Sequence, residues 1–88
     1  MKVYILYRPK SEHARKTEEY VHDFVHAQAA RTITLVDVDS KEGSTMAELY
    51  DTVQYPAILA VDNGGQLLKS WQGDLPLTDE LSYYTQNG

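Results

Sequence analysis

His22 and His26 are the two histidines whose spacing suits a shared metal ion, and they lie in a segment that reads H-D-x-x-H. Histidines four residues apart on a helix share one face, and Glu18 lies one turn earlier on that face. The related H-E-x-x-H pattern uses a glutamate as a base, whereas Asp23 is one methylene shorter. Because Phe24 is expected to face the core, the two histidines point to solvent. We interpret the segment as a solvated charged helix face and expect no physiological metal site.

Ser11 and His13 lie at the predicted start of the first helix, where a hydroxyl and an imidazole can contact a ligand. Ser11 is predicted to cap this helix by accepting a hydrogen bond from a free amide of the first turn. The alternative is that its hydroxyl and those amides bind a thiolate or a carboxylate. His13 acts as a base or ligand only if something binds there. Asp37 and Asp39 flank a strand end, and we expect one of them to tie down the next loop rather than to form a catalytic pair.

The sequence of 88 residues contains no cysteine. Disulfides, thiolate metal sites, cysteine nucleophiles and dithiol redox chemistry are therefore excluded within this chain. Eight basic residues against 13 acidic ones give a formal charge of −5, which disfavours nucleic acid and anionic membranes as partners. No apolar run reaches the ~18–20 residues that cross a bilayer, and no export signal is recognisable, so we expect a cytoplasmic protein. We predict no cofactor.

The apolar runs and the breaks between them predict one domain over residues 1–88, in the order β-α-β-α-β-β-α. The predicted fold class is α/β, with a four-stranded mixed sheet and helices on both faces. Two strands joined through a helix of about 20 residues imply a parallel crossover, and the turn at Asp62–Gly65 implies an antiparallel hairpin. The predicted strands are residues 3–7, 32–38, 57–61 and 67–72, and the predicted helices are residues 11–30, 44–50 and 78–84.

Periodicity and capping residues predict the faces and the ends of the helices. In the first helix, Val21, Phe24 and Val25 belong to the apolar face. The second helix is predicted to be capped by Ser44 or Thr45, because the polar residues before them are typical of a break between elements.

Two segments and one glycine resemble the thioredoxin and glutaredoxin family, in the order that this family has them. The stretch YRPKSEHA at residues 7–14 resembles the approach to the first helix of glutaredoxins. Val53–Leu59, which contains Tyr55-Pro56, resembles the segment in which a cis-proline opens the third strand, and Gly73 resembles the glycine before the last helix. The resemblance covers nearly the whole chain and implies a thioredoxin-like fold.

The sequence departs from this family at the redox motif. Ser11 and Ala14 stand where the resemblance places the two cysteines, and Ile5 stands at about the place of the buried acid in the first strand. A serine hydroxyl at a helix N-terminus is not acidic enough to replace a thiolate. The resemblance therefore implies a redox-inactive member, and we expect no thiol–disulfide oxidoreductase activity.

The groove between the start of the first helix and the cis-proline segment is the binding site that the resemblance implies. We expect it to hold a protein or peptide segment, since the backbone beside a cis-proline can pair with an extended chain. The alternative is a glutathione- or small-thiol-binding domain that uses Ser11, similar to the serine of glutathione transferases. A third possibility is a weak homodimer formed through the sheet edge or Tyr83-Tyr84; otherwise the chain is a monomer. The predicted groove residues are Pro9, Ser11, His13, Tyr55, Pro56 and Gly73.

Overall fold

The computed structural model describes residues 2–27 and 33–85, and its strands and helices follow the predicted order. All four strands lie within one residue of their predicted bounds. Within the described ranges, no helix is both long enough and apolar enough to cross a membrane. In chain order the elements are β1 (Lys2–Tyr7), α1 (Ala14–Ala27), β2 (Ile33–Asp37), α2 (Lys41–Leu49), β3 (Ala57–Val61), β4 (Leu67–Gln72) and α3 (Thr78–Thr85).

The four strands form one mixed sheet in the order β2-β1-β3-β4. β1 pairs in parallel with β2 and antiparallel with β3, and β3 pairs antiparallel with β4. The predicted parallel crossover and antiparallel hairpin are both confirmed. The hairpin turn includes Gly65, whose φ of +87° is unfavourable for any residue with a Cβ. β1 and β3 are thus the central strands, and β2 and β4 are the edges.

Two helices, α1 and α3, cover one face of the sheet. Phe24 of α1 and Leu81 of α3 are fully buried and belong to one core cluster with Val3, Ile5 and Ile58 of the central strands. Burying a large apolar side chain of this kind stabilises the fold by about 1.5–3 kcal/mol relative to leaving it exposed. This face therefore supplies much of the hydrophobic core.

One helix, the nine-residue α2, covers the opposite face. Its Ala47 belongs to a second core cluster with Leu6 and Leu59 of the central strands. Gly43 allows α2 to approach β2 closely, because a Cβ at this position would overlap the backbone carbonyl oxygen of Asp37. The close approach is therefore specific to glycine.

The predicted start of the first helix is wrong. α1 begins at Ala14, because the Ser11 Oγ donates a hydrogen bond to the Arg8 carbonyl oxygen at 2.6 Å instead of accepting one from a helix amide. Val25, which the periodicity placed on the apolar face, is 38% exposed and lies at the margin of the buried stripe. The predicted end of this helix near residue 30 lies outside the described residues.

The predicted start of the second helix is also wrong. Neither Ser44 nor Thr45 caps it; α2 begins at Lys41, and the Ser40 Oγ accepts a hydrogen bond from the Gly43 amide at 3.0 Å. The polar residues that were interpreted as a break therefore form the first turn of α2. Ser40 lies directly after a strand-end turn, where an extended conformation suits an N-cap.

Candidate functional site

Strand pairing brings the predicted groove residues to one end of the sheet. Leu6 of β1 pairs with Ala57 of β3, and Ala57 also pairs with Gln72 of β4. The ends of β1 and β4 and the start of β3 therefore lie side by side. The last residue of β4 and the residues that flank these strand ends form what we call the groove end, defined as residues 8–13, 53–56 and 72–73.

Hydrogen bonds within the groove end fix the loop that follows β1. The amide and the hydroxyl of Ser11 both donate to the Arg8 carbonyl oxygen, at 3.0 and 2.6 Å. The Arg8 amide donates to Nε2 of His13 at 3.2 Å. The hydroxyl hydrogen of Ser11 and the acceptor nitrogen of His13 are thus both used inside the loop, whereas Pro9 is exposed. Ser11 and His13 therefore shape the loop and do not form a poised nucleophile and base.

Arg8 is a residue of this site that sequence reasoning missed. Its guanidinium carbon lies 5.6 Å from the centroid of the Tyr55 ring, and its Nη1 lies 3.2 Å from Oδ1 of Asp39. The side chains of the ion pair are 51% and 60% exposed, so we expect the pair to contribute at most about 1 kcal/mol. Arg8 thus links the loop after β1 to the segment before β3. Nothing in the sequence around Arg8 indicates that its side chain will lie over Tyr55, which is 47 residues later in the chain.

Asp37 ties down the loop after β2, as one of the two aspartates was predicted to do. Its Oδ1 accepts a hydrogen bond from the amide of Asp39 at 2.8 Å. The carboxylate of Asp39 instead pairs with Arg8. The two carboxylates therefore have separate structural partners and do not form an acid–base pair.

Pro56, directly before β3, and Gly73, directly after β4, lie next to each other. The Tyr55–Pro56 peptide bond is cis, and Pro56 is buried at the start of β3. The amide of Gly73 donates to the Pro56 carbonyl oxygen at 3.0 Å. Gly73 has a φ of +87°, and a Cβ at this position would lie 2.8 Å from Oε1 of Gln54. A side chain at residue 73 would therefore push Gln54 out of its place.

Gln72 is a second residue that sequence reasoning missed, because a lone amide side chain forms no motif. Its Oε1 accepts hydrogen bonds from the amides of Val53 and Gln54, at 3.0 and 3.3 Å. By contrast, among the residues that the structure describes, no hydrogen bond uses the backbone amide or carbonyl oxygen of Tyr55. The groove end therefore presents the Tyr55 amide and carbonyl, unpaired within the described part of the chain, on a segment that Gln72 holds in place.

Tyr7, the last residue of β1, joins the strand end next to the groove end to helix α1. Its side chain is buried, and its hydroxyl donates to the carboxylate of Glu18 at 2.9 Å. Burial raises the pKa of Tyr7, as do this hydrogen bond and the negative charges of Glu18 and Asp37. The phenol therefore stays protonated at neutral pH and acts as a hydrogen-bond donor rather than as a base.

The histidine pair of α1 is remote from this arrangement. The rings of His22 and His26 stack with centroids 5.8 Å apart, and Nδ1 of His22 lies 3.5 Å from Oδ1 of Asp23. Their side chains are exposed, and Glu18, one turn earlier, binds Tyr7. Within residues 2–27 and 33–85, no three metal-ligating side chains are close enough to hold an ion.

The aromatic residues of α3 form a small surface cluster. Tyr84 packs edge to face against Trp71 and Tyr83, with ring centroids 5.5 and 4.9 Å apart. The Tyr83 side chain is 63% exposed. Association of two copies through this cluster or a sheet edge stays a prediction.

A surface pocket of about 680 Å³ lies at the end of the sheet opposite the groove end. Its walls are α2, the start of β1 and the turn between β3 and β4, and they include Tyr4, Met46 and Val61. Sequence reasoning missed this pocket because its lining comes from three separate segments that share no motif. We call it the α2 pocket.

Comparisons with known proteins establish the fold. No protein-family model matches the chain, and no curated protein matches its sequence. The structure is similar to oxidised mitochondrial thioredoxin 3 from Saccharomyces cerevisiae, with a TM-score of 0.68 and 15% sequence identity over 94% of this chain and 74% of that one. It is also similar to a designed protein, with a TM-score of 0.65 and 19% identity over 94% of this chain and 70% of that one. The chain therefore has a thioredoxin-like fold, built without a single cysteine.

Proposed function

We propose that this chain is a redox-inactive thioredoxin-fold module that binds an extended protein or peptide segment at the groove end. The observation that carries the proposal is that the backbone amide and carbonyl of Tyr55 form no hydrogen bond with any residue in ranges 2–27 and 33–85. An extended segment beside Tyr55 would donate to its carbonyl oxygen and accept from its amide, as a strand added to a sheet does. Gln72 and the strand pairing hold this backbone in place before the segment arrives, which lowers the entropic cost of binding.

Side chains around Tyr55 supply the remaining contacts. Val53 is 78% exposed and offers an apolar anchor next to the unpaired backbone. Arg8 uses Nη1 to bind Asp39 and keeps other N–H donors for a carbonyl or carboxylate oxygen of the bound segment. Pro9 is exposed in the loop after β1. The site thus combines backbone pairing with one apolar and one cationic contact.

The chemistry of the groove end favours binding over group transfer. The chain contains no thiol for disulfide exchange. A serine that holds a thiolate must donate its hydroxyl hydrogen, whereas Ser11 donates this hydrogen to the Arg8 carbonyl oxygen. Helix α1 also begins three residues after Ser11, at Ala14. The position of Ser11 therefore gives no support to glutathione or another small thiol as the ligand.

A matched pair of glycine variants tests the proposal. Gly73 and Gly65 both have a φ of +87°, so alanine introduces similar backbone strain at either position. Only at Gly73 would the new Cβ displace the Gln54 side chain, because at Gly65 the nearest atom is 4.0 Å away. Peptides would be selected from a random phage-displayed library on the wild-type chain, and their affinities measured on both variants after circular dichroism confirms folding.

We expect Gly65→Ala to bind the selected peptides as the wild type does. We expect Gly73→Ala to bind them about threefold more weakly, because the displaced Gln54 side chain is the chain neighbour of Tyr55 and would crowd a segment that pairs there. Equal affinities for the two variants, or a library that yields no peptide above background, would contradict the proposal. Amide shifts of Ser11 on addition of glutathione would instead support the thiol-binding alternative.

A further inference from the structure

We infer a second binding site: the α2 pocket takes a small amphipathic anion, that is, an aromatic or aliphatic body that carries one acidic group. The pocket volume of about 680 Å³ lies within the range of small-molecule sites, roughly 300–1,000 Å³. This site lies at the end of the sheet opposite the groove end, so the inference does not depend on peptide binding there.

The pocket exists because one helix is too narrow to cover a face of this sheet. Four strands at spacings of about 4.8 Å place the outer strand axes about 14 Å apart, and the strands extend further on either side. A helix with its side chains is about 10–12 Å wide, so two helices are needed to cover a face, as α1 and α3 do on the other side. Helix α2 lies close to the edge strand β2 at Gly43, and residues from the start of β1 and the end of β3 line the pocket beside it.

The lining of the pocket is apolar and aromatic at its base. Tyr4, Met46 and Tyr50 are half-buried and pack against the second core cluster. Leu49 also lines the pocket and is 70% exposed, so its side chain is available to a ligand. A flat apolar body inserted here would cover Leu49 and contact both phenol rings. The Met46 thioether adapts to such a body, because its side chain is flexible and polarisable.

Hydrogen bonds hold the wall formed by the β3–β4 turn. The Tyr50 hydroxyl donates to the Gly65 carbonyl oxygen at 2.6 Å and so joins α2 to this turn. Oδ1 of Asp62 accepts from the amides of Gly64 and Gln66, both at 2.9 Å. The pocket is therefore formed before a ligand arrives, and binding does not need to order this wall.

Two lysines on the rim can contact an acidic group. Lys2 and Lys41 line the pocket from two different elements, and neither forms an ion pair with any described residue. Of the two acidic lining residues, Asp62 has one carboxylate oxygen engaged in the turn, and Glu42 opposes an anion. The two cations and two anions of the lining cancel, so an anion meets less repulsion here than on the rest of a chain whose net charge is −5.

Two probes that differ in charge test the inference. Naphthalene-2-sulfonate carries the apolar body and the negative charge, and naphthalene-2-sulfonamide carries the body alone. Each would be titrated into the isotope-labelled chain while backbone amide shifts are followed. We expect the sulfonate to saturate with shifts at Tyr4, Met46, Leu49 and Val61, and to bind about threefold to tenfold more tightly than the sulfonamide.

Variants with matched controls separate the apolar and the charged contributions. Leu49→Ser should weaken both probes, whereas Leu77→Ser, at a leucine that is 76% exposed elsewhere, should weaken neither. The double variant Lys2→Gln, Lys41→Gln should weaken only the sulfonate, with Lys69→Gln as its control. Glu42→Gln should strengthen the sulfonate by about twofold to fivefold.

Three results would overturn the inference. One is the absence of saturable shifts with either probe. Another is a set of shifts centred on Arg8, Tyr55 or Tyr83 instead of on the α2 pocket. The third is equal affinity for the two probes, which would show that the pocket does not recognise an acidic group. All substituted side chains are exposed, so loss of the fold is not expected to obscure the outcome.

Discussion

The two faces of the sheet differ in how much of their surface the helices cover. The face with two helices buries a hydrophobic core, and the face with one helix leaves a pocket open to a ligand. On the face under α1 and α3, Phe24 and Leu81 are fully buried. On the face under α2, Leu6 and Leu59 are equally buried, but Tyr4 is half-buried and borders an open pocket. A protein of this size can therefore complete one hydrophobic core on two helices and leave room for a ligand on the face that has only one.

Phe24→Ala should produce the largest effect, because it removes the largest fully buried side chain from the two-helix face. We expect a loss of about 3–5 kcal/mol in the free energy of unfolding, measured by urea denaturation. Leu49→Ala on the one-helix face is the control, with an expected change within about 0.5 kcal/mol, since this side chain is 70% exposed. Similar losses for both variants would contradict the burial of Phe24 and the exposure of Leu49.

Gly43→Ala should produce the next largest effect, on the one-helix face. The new Cβ would overlap the Asp37 carbonyl oxygen and lie 2.9 Å from the Cα of Val38, so α2 must move away from β2. We expect a loss of about 2–3 kcal/mol in the free energy of unfolding, as in overpacked cores. Gly64→Ala is the control, because its Cβ would lie at an ordinary 3.4 Å from the Asp62 carboxylate. An unchanged stability of Gly43→Ala would mean that α2 is packed more loosely than the structure indicates.

Ser40→Ala should have a smaller effect, by removing the N-cap of α2. The Ser40 Oγ accepts from the Gly43 amide at 3.0 Å, and a lost cap of this kind costs about 1 kcal/mol. Ser11→Ala is the matched control, since Ser11 bonds within an exposed loop and caps no helix; we expect a change within about 0.5 kcal/mol. Thermal unfolding of both variants measures the difference. A larger loss of stability for Ser11→Ala than for Ser40→Ala would indicate that Ser11 caps a helix.

Tyr20→Phe should have the smallest effect at neutral pH and a distinct effect in base. The Tyr20 hydroxyl joins α1 to the segment before α3 by donating to the Pro76 carbonyl oxygen at 2.7 Å. Burial, followed by the charge of Glu80, raises the pKa of Tyr20 from 10.0 to about 12. The folded state thus retains a proton that the unfolded chain loses, so the stability due to Tyr20 is complete below pH 10.0 and falls between pH 10.0 and about 12.

Urea denaturation of wild type and Tyr20→Phe over this pH range measures that fall. Because Tyr7 also has a raised pKa and is present in both proteins, the difference between them isolates Tyr20. We expect the wild type to lose stability more steeply than the variant. Parallel pH profiles would show that Tyr20 titrates at its ordinary pKa.

The sequence predicted strands better than helix starts, for a physical reason. β1, β2 and β3 are local runs of mostly apolar or β-branched residues, and β4 follows a turn in which Gly65 has the positive φ, so neighbouring residues are enough to identify them. A helix start depends on which of several serines accepts a hydrogen bond from a helix amide. Ser11 and Ser40 both lie in polar stretches, so the sequence does not distinguish them. In the structure the Ser40 hydroxyl accepts from a helix amide and caps α2, whereas the Ser11 hydroxyl donates to a loop carbonyl oxygen.

The amino-acid sequence by itself determined the order of the elements, the acidic net charge and the absence of any thiol chemistry, because these properties depend on residue type or on neighbouring residues. Only the tertiary structure decided that Arg8 lies over Tyr55, that Gln72 holds the segment before Pro56, and that a pocket remains beside α2. These features join residues that are far apart in the chain, and they follow from the pairing of β1, β3 and β4 and from the limited width of one helix.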